Sequence, residues 1–574
     1  MTAGALEVEL TRSRLNATVQ ELTHLLYRSA YSTLMRESRD CSFTLLTPDG
    51  EVIVDGPGTF HDSSYHYLAR AVLQRFPDMH EGQVFVTNHP YEGGIPHTPD
   101  LGVVVPAFCE GRLVGLACSI AHKSDFGGSV VGSASAYSTE LHQEGLLLPP
   151  TVGWDGEDAN ETLLQIIAAN VRSPDLFFGD MRAQVGVTRL GAQRLGELAA
   201  RTGVDTLLDV YAAILAHGER ALRAKVAAWP DGTATAEGFL DSDGVVTDRP
   251  VRLHVSVTVS GDQLSVDFSG SDEQTVGPAN MTPMYGDSAV FYAAVAMTDP
   301  ALGFNDGIRR AIRIVRRPGT VLDPVPPAPV GAATSMQQRL IDICVEAMGA
   351  FVPDAAIAHS GGSGGTLGFS WQLSRTGARA LQYEVLGTAM GATRRGDGVS
   401  GCTVWATNLA ITPIEVLETQ FPVRVRRFEL LRDSGGAGRH RGGLSYRREY
   451  EALAPAVVQR RSERAVFPGR GLDGGKPGSV AKVTITRSGA APEAVPVQGR
   501  YELAAHDVLT VEGSGAGGMG DPFLRDPEAV RDDVLRGYVS VEAARDDYGV
   551  VLVDGGDGLV VDVAATRALR TRRA

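Results

Sequence analysis

Residues Asp100–His122 read DLGVVVPAFCEGRLVGLACSIAH, two apolar, β-branched runs on either side of Cys109-Glu110-Gly111. The pattern predicts an antiparallel pair of strands turning at Glu110-Gly111. Pairing outward from that turn sets Asp100 opposite Ala121 and Pro99 opposite His122. The open mouth of the hairpin therefore gathers Asp100 and His122 within side-chain reach.

Ahead of this hairpin runs His89–Asp100, HPYEGGIPHTPD, and after it Ala121–Asp125, AHKSD. Seven of the 13 histidines (His61, His66, His80, His89, His97, His122, His142) fall in this part of the chain. His97 and Asp100 have a spacing that would share a helical face, but Pro96 and Pro99 disfavour helix and place them on a loop entering a strand. Imidazole nitrogen with carboxylate oxygen is the donor mixture suited to Zn²⁺, Mn²⁺ or Fe²⁺. Asp40 enters the stretch CSFTLLTPDGEVIVDG, a hairpin signalled by Asp49-Gly50, as Asp100 enters the second hairpin, which adds a ligand candidate. The same side chains also suit turn capping, and spacing alone leaves both readings open. Asp125 and Glu144 are candidates for a general base or for support of a ligating imidazole. Tyr91, Lys123, Asn170 and Arg172 are open between substrate contacts and structural roles.

At 574 residues the chain exceeds one ordinary core and predicts several domains. A formal charge of −15 without a Lys/Arg cluster speaks against a nucleic-acid surface. The five cysteines (Cys41, Cys109, Cys118, Cys344, Cys402) are widely spaced without a CxxC pair and read as reduced thiols. No apolar leader and no membrane-length apolar run is visible, so a cytoplasmic location is expected.

Helical spacing predicts a first helix from about Thr11 to Glu37, and again from Asn160 to Val226. Alternation returns after Trp229, and beyond about Thr412 strands and glycine turns dominate. The expected fold is mixed α/β, with a hairpin-rich N-terminal half, a helical middle and a β-rich C-terminal part. The expected domains are residues 1–228 with the metal site, 229–411 as a central α/β domain, and 412–574 as a β-rich domain. Gly515-x-Gly517-x-x-Gly520 matches a dinucleotide pattern, but no βαβ unit surrounds it. HSGGSGGTLG lacks the GK[ST] of a P-loop, and no catalytic-cysteine signature is present.

VFVTNHPYEGGIPHTPDLGVVVPAF, AHKSDFGG, YSTELHQEGLLLPP, NVRSPDLFFGDMRAQV, DSGGAGRHRGGLSYRREYE and GGMGDPFLRDPEAVRDDVLRGYVSVEAARDDYGV occur in this order along the chain. Together they resemble the hydantoinase B/5-oxoprolinase family. The resemblance implies a B-type subunit of an ATP-dependent hydrolase acting on a cyclic amide such as a hydantoin, a lactam or 5-oxoproline. Its partner would be a hydantoinase A-type subunit that binds ATP and Mg²⁺, in a hetero-oligomer. The alternative it implies is a subunit of an ATP-dependent ketone carboxylase of the acetone or acetophenone type, using bicarbonate. Carried over by motif, a divalent metal (zinc, manganese or iron) would be held by Asp40, His97 and His122, with Asp100 as fourth candidate. Asn88-His89-Pro90-Tyr91 departs from the family's usual Asn-Asp-Pro-Tyr, and Ile95-Pro96 adds a residue before the histidine. Both His89 and His97 therefore stand as possible ligands.

Overall fold

The computed structural model describes residues 4–54, 61–133, 135–373, 379–405, 407, 409–556 and 558–572. It is a mixed α/β chain of two compact units. The first comprises Met1–Gly238, Ser242–Ala347 and Ala406–Thr412, the second Phe239–Asp241, Met348–Trp405 and Pro413–Ala574. The change of periodicity near Trp229 thus lies inside the first unit. Among the described residues no helix is long and apolar enough to cross a membrane.

The first unit opens with α1 (Ala5–Ser29) and the single turn α2 (Thr33–Arg36) rather than one helix to Glu37. Ser32 breaks the run by capping the second piece, its Oγ accepting from Met35 N. Then follow β1 (Cys41–Leu46), β2 (Val52–Val54), α3 (Asp62–Arg75), β3 (Val84–Thr87), β4 (Asp100–Cys109), β5 (Arg112–His122), β6 (Thr151–Asp155) and β7 (Asp158–Ala159). The last two residues of the quoted first hairpin, Asp55 and Gly56, lie outside the described residues. These strands form an antiparallel sheet in the order β2-β1-β5-β4-β3-β6-β7.

The helical middle is α4 (Glu161–Asn170), α5 (Pro174–Thr202) and α6 (Val204–Val226). Helix α5 lies on one face of the sheet, where Gln184 Nε2 donates to Leu101 O (2.8 Å) and Ser119 O (3.2 Å). Gly191 makes the approach possible, because a Cβ there would sit 2.3 Å from Phe43 Cζ. On that face Phe43, Leu45, Leu101, Val103, Val105 and Ala117 join one core with α1 and α5. The opposite face takes α3, whose Leu68 lies where a Cβ on Gly102 would meet it at 2.9 Å. Burial on both faces explains the near-continuous apolar runs of β4 and β5.

Glu110 (φ 51°) and Gly111 (φ 74°) form the expected tight turn. The register nevertheless shifts between Ala107 and Phe108, so that Asp100 pairs with His122 itself and not with Ala121. The extra residue is Val114: Phe108 pairs with Leu113 and Ala107 with Gly115, leaving Val114 unopposed as in a β-bulge. A single-residue shift matters, because it decides which side chains share a face.

Beyond α6 the first unit adds a second sheet in the order β11-β10-β9-β8, built from β8 (Gly232–Leu240), β9 (Val251–Ser260), β10 (Gln263–Asp267) and β11 (Ile312–Val315). The helices α7 (Pro283–Thr298) and α8 (Asp306–Arg310) lie between its last two strands, which run parallel. The second unit has a four-stranded and a five-stranded sheet sharing a core that includes Phe369, Trp371, Tyr450 and Leu509. Its glycine-rich segments are interlaced through backbone hydrogen bonds, such as Gly436 N to Ala516 O, Gly517 N to His359 O and Gly518 N to Lys476 O. A Cβ on Gly515 would lie 1.6 Å from Ser434 O, and one on Gly517 2.0 Å from Arg470 O. The GxGxxG pattern is therefore a packing requirement.

Candidate metal centre

Strand parity gathers the site. Asp100 and His122 are paired neighbours on β4 and β5, and His122 N donates to Asp40 O at 3.0 Å, so Asp40, His122 and Asp100 lie in one row across three adjacent strands. All three have the parity of Ser42 and so face α3 rather than α5. At the start of α3, His61 hydrogen-bonds through Nδ1 to Ser42 Oγ (2.8 Å), which also contacts Tyr65 Oη (2.6 Å). His97 arrives from the preceding loop, where Asp100 N donates to His97 O.

Local structure fixes each contributor. Asp40 follows Arg39, whose φ is 60°, and Asp40 N donates to Leu34 O. The turn before α2 is tied to α5 by Asp180 Oδ1, which accepts from Tyr31 N and Ser32 N. The His97 loop is held by buried Asn88, whose Nδ2 donates to Thr98 O and Leu146 O while Oδ1 accepts from Leu148 N. Gly94 (φ +67°) lets that loop press onto α3, since a Cβ there would lie 2.4 Å from the carbonyl carbon of Tyr67.

Asp100 is the hub. Its Oδ2 lies 3.2 Å from His97 Nε2 and 3.6 Å from His61 Nε2, and its Oδ1 lies 3.1 Å from His122 Nδ1. Asp40 Oδ2 is 3.9 Å from His122 Nδ1. All five residues are buried, with Asp100 at 1% exposure. Burial by itself would raise the Asp100 carboxyl, but the surrounding imidazoles of His97, His122 and His61 hold it well below the usual carboxylate range. Burial raises the Asp40 carboxyl, against the pull of His122 and with the added push of Asp100. Two carboxylates with opposite shifts thus share one pocket.

The donor set fits a divalent transition metal. His97, Asp100 and His122 each offer one ligand atom, all within 4.8 Å of one another. Separations of 3.1 and 3.2 Å suit ligand atoms that each make a bond of about 2.0–2.2 Å to a common ion. Two imidazoles and a carboxylate are a donor set that would hold a divalent transition metal such as zinc, manganese or iron. Among the described residues Asp40 Oδ1 is buried without a hydrogen-bond partner, an acceptor placed for a cation.

Of the residues singled out in the sequence, Asp40, His97, Asp100 and His122 are brought together. His61 joins them although only its membership of the histidine-rich stretch hinted at it. His89 turns to its own loop, where Nδ1 accepts from Glu92 N. His66 hydrogen-bonds to Asp306 (2.8 Å), while His80 and His142 are exposed. Asp125 organises the loop after β5: Oδ1 accepts from Gly132 N and Arg172 Nη1, and Oδ2 from Gly127 N and Arg172 N. Its four lone-pair positions are taken. Glu144 accepts from Ser138 Oγ, Val330 N and Gly331 N, tying its loop to the chain ahead of α9 (Ala333–Gly349). Tyr91 Oη donates to Ala328 O. Lys123 is fully buried, and burial pushes its ammonium down to about 8 against the opposing pull of Asp180, Cys41 and Asp100.

The profile of the Hydantoinase B/oxoprolinase family matches residues 5–522. The B-type subunit of a putative D-/L-hydantoinase from Pseudomonas sp. (strain NS671) is 29% identical over 585 residues, covering 98% of this chain and 97% of that protein. The crystal structure of an ATP-dependent caprolactamase from Pseudomonas jessenii aligns with a TM-score of 0.91 at 27% identity, over 100% of both chains. The nucleotide-free structure of an acetone carboxylase aligns with a TM-score of 0.89 at 20% identity, over 99% of this chain and 82% of that one, a likeness of fold. With the profile spanning residues 5–522, most of the chain, the chain belongs to the hydantoinase B/oxoprolinase family.

Proposed function

We propose that this chain is the metal-bearing B-type subunit of an ATP-dependent enzyme that opens a cyclic amide, working with an ATP-binding A-type subunit. The observation that carries the reading is the buried cluster of His97, Asp100 and His122, beside Asp40, in a chain whose sequence has no P-loop. Relatives named as a hydantoinase of this subunit type and as an ATP-dependent caprolactamase support it. An unstrained amide is resonance-stabilised, so ring opening needs an activated carbonyl, and phosphoryl transfer from ATP on the partner provides it.

A divalent ion held by His97, Asp100 and His122 would supply Lewis acidity and bring the pKa of water towards about 7. Asp100, kept ionised by its imidazole neighbours, holds compensating negative charge in a site that excludes bulk solvent. The pairing of Asp100 with His122 and the hydrogen bond from His122 N to Asp40 O fix their spacing, so little reorganisation would accompany the reaction. Asp40, which has an unengaged buried oxygen, would serve as a further ligand. The shared fold with an acetone carboxylase favours one second reading, a ketone carboxylase subunit.

The test is reconstitution with the A-type subunit and ATP on a hydantoin, a lactam and 5-oxoproline, with labelled bicarbonate present. Ring opening that is lost in His122→Ala supports the reading. Label retained in a stable acid product selects the carboxylase. Activity that survives His122→Ala contradicts both.

A further inference from the structure

The second unit encloses a polar cluster of the opposite kind. In its four-stranded sheet, Glu384 pairs with Leu367, Leu367 with Arg460 and Arg460 with Gly499, a row whose inward side chains include Glu384 and Arg460. On the five-stranded sheet, Tyr446, Arg448 and Tyr450 alternate inward along Tyr446–Ala452. The two layers meet there, with the rings of Phe369 and Tyr450 5.6 Å apart. Arg448 and Arg460 are both at 0% exposure.

Their partners do not balance them. Arg448 Nη1 lies 3.1 Å from Glu384 Oε2, and its guanidinium packs 5.1 Å from the ring centroids of Phe428 and Tyr450. Arg460 Nη2 donates to Gly364 O at 3.2 Å. Among the described residues, Arg448 Nε, Nη1 and Nη2, Arg460 Nε and Nη1, and the Tyr446 and Tyr450 hydroxyls have no hydrogen-bond partner, against one acceptor, Glu384 Oε2, in the same state. Tyr446 packs on the same Phe428 ring as Arg448, ring centroids 5.5 Å apart, and burial pushes its hydroxyl up against the opposing pull of Arg460 and Arg448. Within this described cluster two cations thus face one carboxylate, and donors outnumber acceptors. A buried charge without a counter-charge costs several kcal/mol, and water would satisfy donors without balancing charge.

We propose that the interior of the second unit binds one small inorganic anion of the halide class, held by the guanidinium groups of Arg448 and Arg460 and the hydroxyl of Tyr446. The anion neutralises the charge that Glu384 leaves uncompensated and accepts the idle N–H and O–H donors. Its role is to stabilise the packing of the two sheets. This site is independent of the ring-opening reading and of the metal centre.

Bromide is the probe. Crystals of the full chain grown in sodium bromide are measured at the bromine absorption edge, and thermal unfolding is compared in chloride and gluconate at equal ionic strength. The expected result is an anomalous peak within hydrogen-bond distance of Arg460 and Tyr446, with an upward shift of the unfolding midpoint in chloride. Arg460→Met should abolish that shift. Should it fail to fold, Tyr446→Phe should raise the half-saturating chloride concentration several-fold. No bromine peak at this position, or a midpoint identical in the two salts, overturns the proposal. So does a chloride shift unchanged in the foldable variant.

Discussion

The two buried polar clusters differ in sign. Around Asp100, carboxylate oxygens meet imidazoles. Around Arg460, guanidinium and hydroxyl donors meet a single carboxylate. Both stand on sheets, and both place charge where water is excluded. The lesson is that the balance of donors and acceptors in a buried cluster bears on the charge of the ion it would accept. The settings differ too. The first cluster sits at the ends of strands, fed by loops, where side chains can change without unfolding the sheet. The second lies inside the two-sheet core, near segments whose glycines permit backbone contact.

The largest contrast is expected between Asp100→Asn and Gly515→Ala. Asp100→Asn should weaken metal binding by more than about 100-fold, read by titration of the metal-free chain, while its circular dichroism stays unchanged. Gly515→Ala puts a methyl group against the Ser434 carbonyl and should destabilise the second unit by about 3 kcal/mol, read by denaturant unfolding. If Gly515→Ala were silent, the interlaced glycine packing would be wrong. Next in size is His61→Ala, expected to lower metal affinity by about 10–100-fold through the loss of a neighbour that orients Asp100.

A smaller effect follows from Asp306, which is 1% exposed. Burial would raise its carboxyl, but His66 and Arg309 hold it below the usual value. A depressed folded-state pKa stabilises above the unfolded value of about 3.9 and is lost as pH falls through the folded value. Asp306→Asn should therefore lower the urea midpoint at pH 7, with the difference from wild type shrinking below about pH 4. Equal midpoints at pH 7 would break this account. The smallest change is Gly186→Ala in α5, where a Cβ meets nothing within 4 Å; it should stabilise by up to about 1 kcal/mol, read as a raised urea midpoint.

Much of the site was legible because its parts are local. Asp100 and His122 close the mouth of one hairpin, whose turn at Glu110-Gly111 stood in the sequence. The bulge at Val114 was not legible, because Leu113-Val114-Gly115 looks like any apolar run, and the shift it introduces is set by packing on both faces. His61 was hidden for another reason: its approach depends on α3 crossing the sheet face, a contact between segments distant in sequence. Asp125 and Glu144 resembled reactive acids on composition, whereas their surroundings are backbone amides that only the folded loop brings together. The helices of the middle segment were plain from period alone, but Ser32 showed that one cap can divide an apolar stripe.

The metal centre stands or falls on one divalent ion being held by His97, Asp100 and His122. An anomalous-scattering map at the absorption edge of the metal found by elemental analysis of the purified chain tests it directly. A peak bonded to His97, Asp100 and His122 is the predicted result. A metal-replete chain whose peak lies away from these three residues, or a fully active reconstituted enzyme with no peak, would contradict it.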